Sequence, residues 1–433
     1  MVEAALAGGS ARAQRVASSL LYFNAFFGMG LLLSNLGPIL PQLMQRTGLR
    51  MGAMGFLVAS RSLGYLIGCA TSGGLYDRFA ARGHWLEAGG IAVASACNSA
   101  ITLCYSAALL GAILLVQGVA IGFLDTGCNV MMLRQHREGV GPWLQTLHLF
   151  FGVGAFVQPL LVSATMARDG GFALAFHGTA LWMVLGAAPL LMLPAPPVPA
   201  PASASSVGKA GAPTAPAQRR RSVVLLLGAF LFTYVGTEVN YGTYILTYAQ
   251  REVQITEHAG QLLTAAYWGA LALGRLIAVG ITLCGAPPQA LIAVNCVLCT
   301  AASLVMALAP ASSLVLWAGS ITFGLAMASQ FPSAMHLASR YTTISGTDQG
   351  IVNQAACMGE IVLPIAVSQL FERVGATTFM PGNVVLSLLS AVAFAALWAA
   401  GERSARAAAA GSEDATEATP LLLSADLSHT IQE

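Results

Sequence analysis

From residue 16 to residue 401 the chain alternates between long apolar runs and short polar turns, and that alternation leaves few folds open. A helix of about 20 apolar residues crosses a bilayer with every backbone N–H and C=O bonded inside the segment. Read this way, the first half crosses at 16 to 43, 52 to 76, 86 to 106, 109 to 133, 144 to 166 and 173 to 193. The second half crosses at 222 to 248, 259 to 283, 288 to 309, 312 to 337, 347 to 371 and 379 to 401, giving about twelve spans. Only 9% of residues are charged and 56% are hydrophobic, whereas a soluble domain carries roughly 25% charged residues. The runs are continuously apolar rather than alternating, which excludes a transmembrane β-barrel. Met1 to Ser19 has no apolar core of its own, so no cleavable signal peptide is expected.

Lys and Arg set the orientation. If both termini are cytoplasmic, the inner segments hold Arg12, Arg15, Arg78, Arg82, Arg134, Arg137, Lys209, Arg219, Arg220, Arg221, Arg340, Arg403 and Arg406. The outer loops then hold Arg46, Arg50, Arg168, Arg251 and Arg373, so thirteen basic residues stand against five. The net charge of +2 is accounted for by these loops and gives no reason to expect a nucleic-acid partner. The eight cysteines fall almost wholly inside the spans and read as reduced packing residues rather than disulfides or zinc ligands.

Residues 194–221, "PAPPVPAPASASSVGKAGAPTAPAQRRR", lack apolar periodicity and read as a flexible cytoplasmic linker. They separate an N-terminal six-helix bundle, 1–193, from a C-terminal one, 222–401, with a disordered cytoplasmic tail expected over 402–433. The halves look related. "LHLFFGVGAFVQPLL" and "VNQAACMGEIVLPIA" match Gly154 to Gly359 and Pro159 to Pro364, both 205 apart, and "SLGYLIG" matches "ALGRLIA" at an offset of 210. The expected fold is all-α, with 12 transmembrane helices in two six-helix bundles enclosing a central site.

Within the spans the ionisable residues stand out: Arg61, Asp125, Glu238, Arg275 and Glu360, with His148 and His336 nearer the inner ends. A charge near the bilayer centre costs at least ~2.5 to 3.5 kcal/mol, so such groups face a partner or a wet cavity. Three carboxylates face two arginines, which leaves one acid to be protonated, to bind a cation or to pair with histidine. Helical spacing puts Asn129 on the face of Asp125, and Gln145 beside His148. On the seventh span Glu238 keeps company with Tyr241 and Asn240, and Gly236 and Gly242 would let that helix unwind locally. Trp268 and Arg275 share the eighth span, while Asn353, Gln354 and Glu360 share the eleventh. Acids, amides, hydroxyls and aromatic rings around one cavity suit a polyhydroxylated ligand. The competing structural reading is that these groups bond helices together.

"GGLYDRFAARGH" joins the second and third spans, and "LSNLGPILPQL", "SRSLGYLIG", "GFLDTGCNV", "LQTLHLFFGVGAFVQPLL", "YVGTEVNYGTYILTYA", "YWGALALGRLIA" and "FPSAMHLASRYTTISG" occur in chain order. The loop resembles the major facilitator superfamily's signature between those helices, and the series of segments resembles the animal sodium-dependent glucose transporter branch of that superfamily and, more distantly, the bacterial fucose-proton symporters. The resemblance implies a sugar transporter of the major facilitator fold, with H+ or Na+ as possible coupling ion and no other cofactor. It implies that Asp125, followed by Thr126 and Asn129 as in the symporters, is the coupling acid. The symporters carry a second acid in an Asn-Leu-Asn-Asp context of the first helix, where this chain reads Asn35, Leu36, Gly37, Pro38, so a two-acid relay does not carry over.

The expected solute contacts are therefore Asn35, Asn129, Gln145, His148 and Glu238, together with Asn240, Tyr241, Trp268, Asn353 and Gln354. Arg61, Asp77, Arg78, Arg275 and Glu360 are the expected gating or charge partners. In the tail, Glu417, Leu421 and Leu422 form an acidic dileucine pattern resembling clathrin-adaptor signals for endosomal or lysosomal membranes, with the plasma membrane as the alternative. No nucleophile and base pair or phosphate-cradling loop stands out, so an enzyme is not expected. The competing functions are export of an amphiphile or amino acid from a lysosome, and a non-transporting membrane sensor.

Overall fold

The computed structural model describes residues 2–136, 140–166, 168, 170–197, 217–342 and 346–429. Side chains are described from Arg12 to Arg406, apart from 141, 217–219, 346–347 and 404 within those segments. Among the described residues the regular elements are all helices. The first span is α1 (Val2–Leu33), a 3-10 turn over Gly37–Ile39, and α2 (Leu40–Thr47). The N-terminal half continues with α3 (Met51–Arg78), α4 (Gly83–Ile101), α5 (Ala107–His136), α6 (Gly141–Met166) and α7 (Phe172–Ala187). The C-terminal half holds α8 (Ala217–Glu252), α9 (Glu257–Leu283), α10 (Pro288–Leu308), α11 (Ser313–Met327) and α12 (Gln330–Tyr341), then α13 (Gly346–Arg373) and α14 (Phe379–His429). With α1–α2 and α11–α12 each forming one broken passage, these make twelve membrane passages. Eleven are long and apolar enough to cross by length and composition. The twelfth, α4, is diluted by His84, Glu87 and Asn98, and all three side chains are buried in the bundle.

The repeat seen in the sequence recurs in the packing. A Cβ built on Gly154 of α6 would lie 2.0 Å from the carbonyl oxygen of Phe27 on α1. One built on Gly359 of α13 would lie 2.0 Å from that of Phe232 on α8. Phe27 and Phe232 are separated by 232 − 27 = 205 positions, the same offset as the two glycines. In a membrane the contacts between helices come from close packing rather than from burial of oil away from water, so small residues at such crossings are what let the backbones meet. Downstream, Pro159 and Pro364 lie inside α6 and α13. Each removes one helical N–H and leaves the carbonyl four residues earlier, at Ala155 or Glu360, without its usual partner.

The helix ends define two faces. The far face carries the turns at Gly48–Arg50, Val253–Thr256 and Gly375, and the linker face carries the opposite ends, including Phe79–Arg82 and the helix ends that flank 194–221. The expected linker lies largely outside the described residues, and Glu417, Leu421 and Leu422 lie outside the described side chains.

The two glycine seats make a stability prediction. Gly154→Ala and Gly359→Ala should each destabilise the protein by about 1 to 3 kcal/mol, the usual cost of forcing an extra carbon into a filled contact. Thermal unfolding in detergent would measure it, and an unchanged melting temperature would contradict the packing.

Candidate functional site

The first span stops being helical at Leu33 and resumes at Leu40, so carbonyls at its broken end lack intrahelical partners. Arg61, buried on α3, supplies them. Its Nη1 donates to the Leu32 carbonyl at 3.1 Å and to Asn35 Oδ1 at 3.2 Å, and its Nη2 donates to the Leu33 carbonyl at 3.1 Å. A cation at a helix C-terminus also meets the negative end of the helix dipole. Asn35 is fully buried and its other amide atom donates to Asn98 Oδ1 at 2.8 Å. The structure therefore gives Asn35, expected as a solute contact, a bond between helices of the N-terminal half. Arg61 stands within electrostatic reach of Glu360, but its hydrogen bonds go to the first span. Glu360 accepts instead from Ser62 Oγ at 3.4 Å.

At ~1.5 Å per residue, Asp125, Glu238 and Glu360 lie roughly 27, 21 and 20 Å in from the far-face ends of α5, α8 and α13. Each acid has a different partner. Glu238 pairs with Arg275 of α9 at 3.6 Å, and Arg275 also donates to the His148 carbonyl of α6 at 3.4 Å and stands over the Phe151 ring. Arg275 thus joins the C-terminal acid to the N-terminal half. Asp125 accepts from Tyr65 Oη at 2.6 Å and from Asn129 Nδ2 at 3.0 Å. The four-residue spacing anticipated the second bond; Tyr65, on another helix, had no signal along the chain.

On α8 and α9, near the depth of Glu238, are buried polar groups with nothing to bond. Asn240 is 0% exposed, and neither atom of its amide has a partner; the buried indole Nε1 of Trp268 also has none. Asn240 is one turn from Gly236, which packs on Gly359, and one turn from Tyr244, whose hydroxyl donates to the Pro364 carbonyl at 3.1 Å. That periodicity turns Asn240 toward α13. Gly242 lets the Trp268 ring lie against α8, since a Cβ there would come within 2.5 Å of it. The local unwinding expected at Gly236 and Gly242 does not occur: α8 is continuous, and both glycines serve close contacts.

The remaining expected residues divide. His148 is exposed although the Phe26 ring lies edge-on to it at 5.4 Å and Arg275 is nearby, as for a side chain on the wall of a cleft. Gln145 is exposed one turn toward the linker face, and Asn353 and Gln354 are on α13, Asn353 exposed and bonded by Gln349 Nε2 at 2.8 Å. Tyr241 points into the C-terminal core, stacked on Phe323 with its hydroxyl 2.7 Å from Ser320 Oγ. Asp77 pairs with Arg134 at 2.8 Å and Arg78 stands over Phe79, so both have partners in the N-terminal half.

The hydrogen bonds between halves lie at the far face and at mid-depth. Gln42 donates to Glu257, and Gln261 donates to the Pro38 carbonyl at 3.4 Å. Ser163 meets His258 at 2.7 Å, while Ser368 and Gln369 donate to the Gly52 carbonyl at 3.1 and 2.8 Å. The far face is clasped, and among these described bonds the deepest toward the linker face is the one from Arg275 to His148.

Comparison with known proteins agrees with this architecture. Residues 20–364 match the family model described as Major Facilitator Superfamily. Sodium-dependent glucose transporter 1 of Xenopus laevis is 30% identical over 356 residues, covering 77% of this chain and 72% of that protein. The inward-open xylose transporter XylE from E. coli has the same fold, with a TM-score of 0.71 at 12% identity over 89% of this chain and 95% of that one. The nucleoside transporter NupG gives a TM-score of 0.66 at 14% identity, over 89% of this chain and 98% of that one.

Arg61→Leu tests the cap on the first span. Removing charge-assisted bonds to buried carbonyls should cost about 1.5 to 3 kcal/mol each where no water replaces them. The measurable outcome is a lower melting temperature and reduced yield of folded protein, and an unaltered variant would show that Arg61 does not hold the break.

Proposed function

Because this chain belongs to the Major Facilitator Superfamily, whose members are membrane transporters and not enzymes, we propose that it carries a hexose-type sugar by alternating access. The observation that carries this reading is that two buried polar groups near the depth of the carboxylates have no partner, the Asn240 amide on the α13 side of α8 and the Trp268 indole N–H on its α9 side. A buried amide without hydrogen bonds is costly, and natural proteins keep such groups where something else completes them. An amide, an indole N–H and carboxylates are complementary to the hydroxyls of a sugar, and the indole plane to its apolar face. The names of the relatives, a sodium-dependent glucose transporter and a xylose transporter, favour the same solute class.

Asp125 is the proposed coupling acid. Its partners are a hydroxyl and an amide, which leave its charge unbalanced, whereas Glu238 has Arg275. Binding H+ or Na+ would balance it. The proposed cleft opens toward the linker face, which the distribution of Lys and Arg puts in the cytoplasm together with both termini. The acidic dileucine pattern supports placement in endosomal or lysosomal membranes, with a clathrin adaptor as partner.

A second reading has one specific observation behind it. A groove of about 380 Å³ between α6, α9 and α11, lined by Phe156, Gly269, Ala272 and Leu325 among others, is apolar and would accept an alkyl chain. It favours an amphiphile as cargo.

Proteoliposome uptake of radiolabelled hexose separates the two. Asn240→Ala should raise the half-saturating concentration about tenfold, equivalent to ~1.4 kcal/mol. Asp125→Asn should retain solute exchange but lose accumulation driven by a sodium or pH gradient, with choline replacing sodium in the control. No saturable hexose uptake by the unmodified protein, together with uptake of a lysolipid, would replace the sugar with the amphiphile.

A further inference from the structure

We infer that Glu87 is a second proton-exchanging acid of the transport cycle, lodged in the N-terminal half beneath the linker face; the inference rests on reading the chain as a cation-coupled transporter. Glu87 is 0% exposed, one turn into α4, where α1, α3 and α5 converge on it. Tyr76 Oη of α3 donates to its Oε2 at 2.5 Å and Cys128 Sγ of α5 donates to its Oε1 at 3.0 Å. Space for this arrangement comes from Gly127: a Cβ there would lie 2.1 Å from Glu87 Oε2 and 2.2 Å from Tyr76 Oη. The seat is built around a carboxyl group and its hydroxyl donor.

The groups facing Glu87 are few. Tyr22 of α1 lies within electrostatic reach and its hydroxyl meets His84 Nε2 at 2.7 Å. His84, one turn back on α4, has Nδ1 2.9 Å from the Leu193 carbonyl. A carbonyl only accepts, so Nδ1 carries the hydrogen, and Nε2 is the ring position that takes or gives a proton. From α5, Asp125 acts on Glu87 electrostatically. Arg134, also on α5, is committed to the Tyr76 carbonyl at 3.3 Å and to the exposed Asp77 at 2.8 Å. None of the described ion pairs reaches Glu87.

What distinguishes this acid from an amide is its proton. A glutamine oxygen would accept from Tyr76 as well, so the two bonds alone do not require a carboxyl group. A buried acid without a cation is retained at a cost in a membrane protein, and such groups mark ion and proton pathways. Glu87 also lies on the linker-face side of Asp125: Cys128, which holds it, is three residues farther along α5. A proton leaving Asp125 toward that face would therefore meet a second acceptor before it reached the exposed Asp77.

The test combines a solute-free readout with flux. Infrared difference spectra between acidic and alkaline buffer, recorded on the purified full chain, should carry the carbonyl stretch of a buried acid that Glu87→Gln removes and Tyr76→Phe displaces. In proteoliposomes, Glu87→Gln should keep hexose exchange within roughly twofold and lower pH-gradient-driven accumulation about tenfold or more. The inference is overturned if Glu87→Gln removes no band, if it accumulates solute as the unmodified protein does, or if it loses exchange and accumulation equally. A Glu87 band in unmodified protein that moves no hexose supports the acid and counts against the sugar instead.

Discussion

The guanidinium of Arg61 sits where the first span stops being a helix, and it bonds the carbonyls that the break leaves behind. In hydrocarbon no water can do this, so an interrupted helix at membrane depth survives only where protein groups complete its backbone. The break lets residues 34–39 depart from the helical path, bringing Gly37 against the Gly242 carbonyl of α8. Through this contact the N-terminal half reaches the helix that carries Glu238 and Asn240. Arg61 also brings a positive charge to the neighbourhood of Glu360 while Ser62, its sequence neighbour, bonds that acid directly.

The acids of the two halves are held differently. Glu238 is tied to Arg275, and Arg275 to the His148 carbonyl across the interface. Asp125 and Glu87 are held wholly within the N-terminal half by hydroxyl, amide and thiol donors. The C-terminal half thus contributes a charge pair whose geometry depends on how the halves meet. The N-terminal half contributes two acids whose hydrogen bonds survive whatever the interface does.

The mid-span acids were legible because an ionisable residue in an apolar run stands out whatever surrounds it. The bond from Asn129 to Asp125 was legible because partners four apart on a helix share a face. Tyr65 was not, since nothing along α3 says that its hydroxyl meets α5. Glu87 was hidden by position: it stands one residue inside a run read from 86, where an acid passes for part of a polar turn. Its burial comes from Tyr76, Cys128 and the room left at Gly127, none of which is local to it. Asn35 and Tyr241, expected as solute contacts, have partners inside the protein instead. Tyr241 is on a helix buried nearly all round, where no face can be singled out by periodicity, and Asn35 sits in the break of the first span, where helical periodicity does not apply; both bond within their own half. The twelve-passage fold and its duplication were readable throughout, because backbone satisfaction in lipid and a 205-residue offset are properties of the chain alone.

The paired seats, Gly154 on Phe27 and Gly359 on Phe232, limit how the molecule can move. A backbone pressed on a backbone has no side chain between to lengthen, tilt or swap rotamers, so α1 with α6, and α8 with α13, each behave as a single stiff beam. The halves meet chiefly at α3 on α13 and α6 on α9, and at the first of these a Cβ on Gly55 would lie 2.5 Å from the Pro364 carbonyl oxygen. Any relative movement of the halves must therefore break or remake the serine, glutamine and arginine bonds that cross those two contacts, since the seats within each half leave nothing else to give.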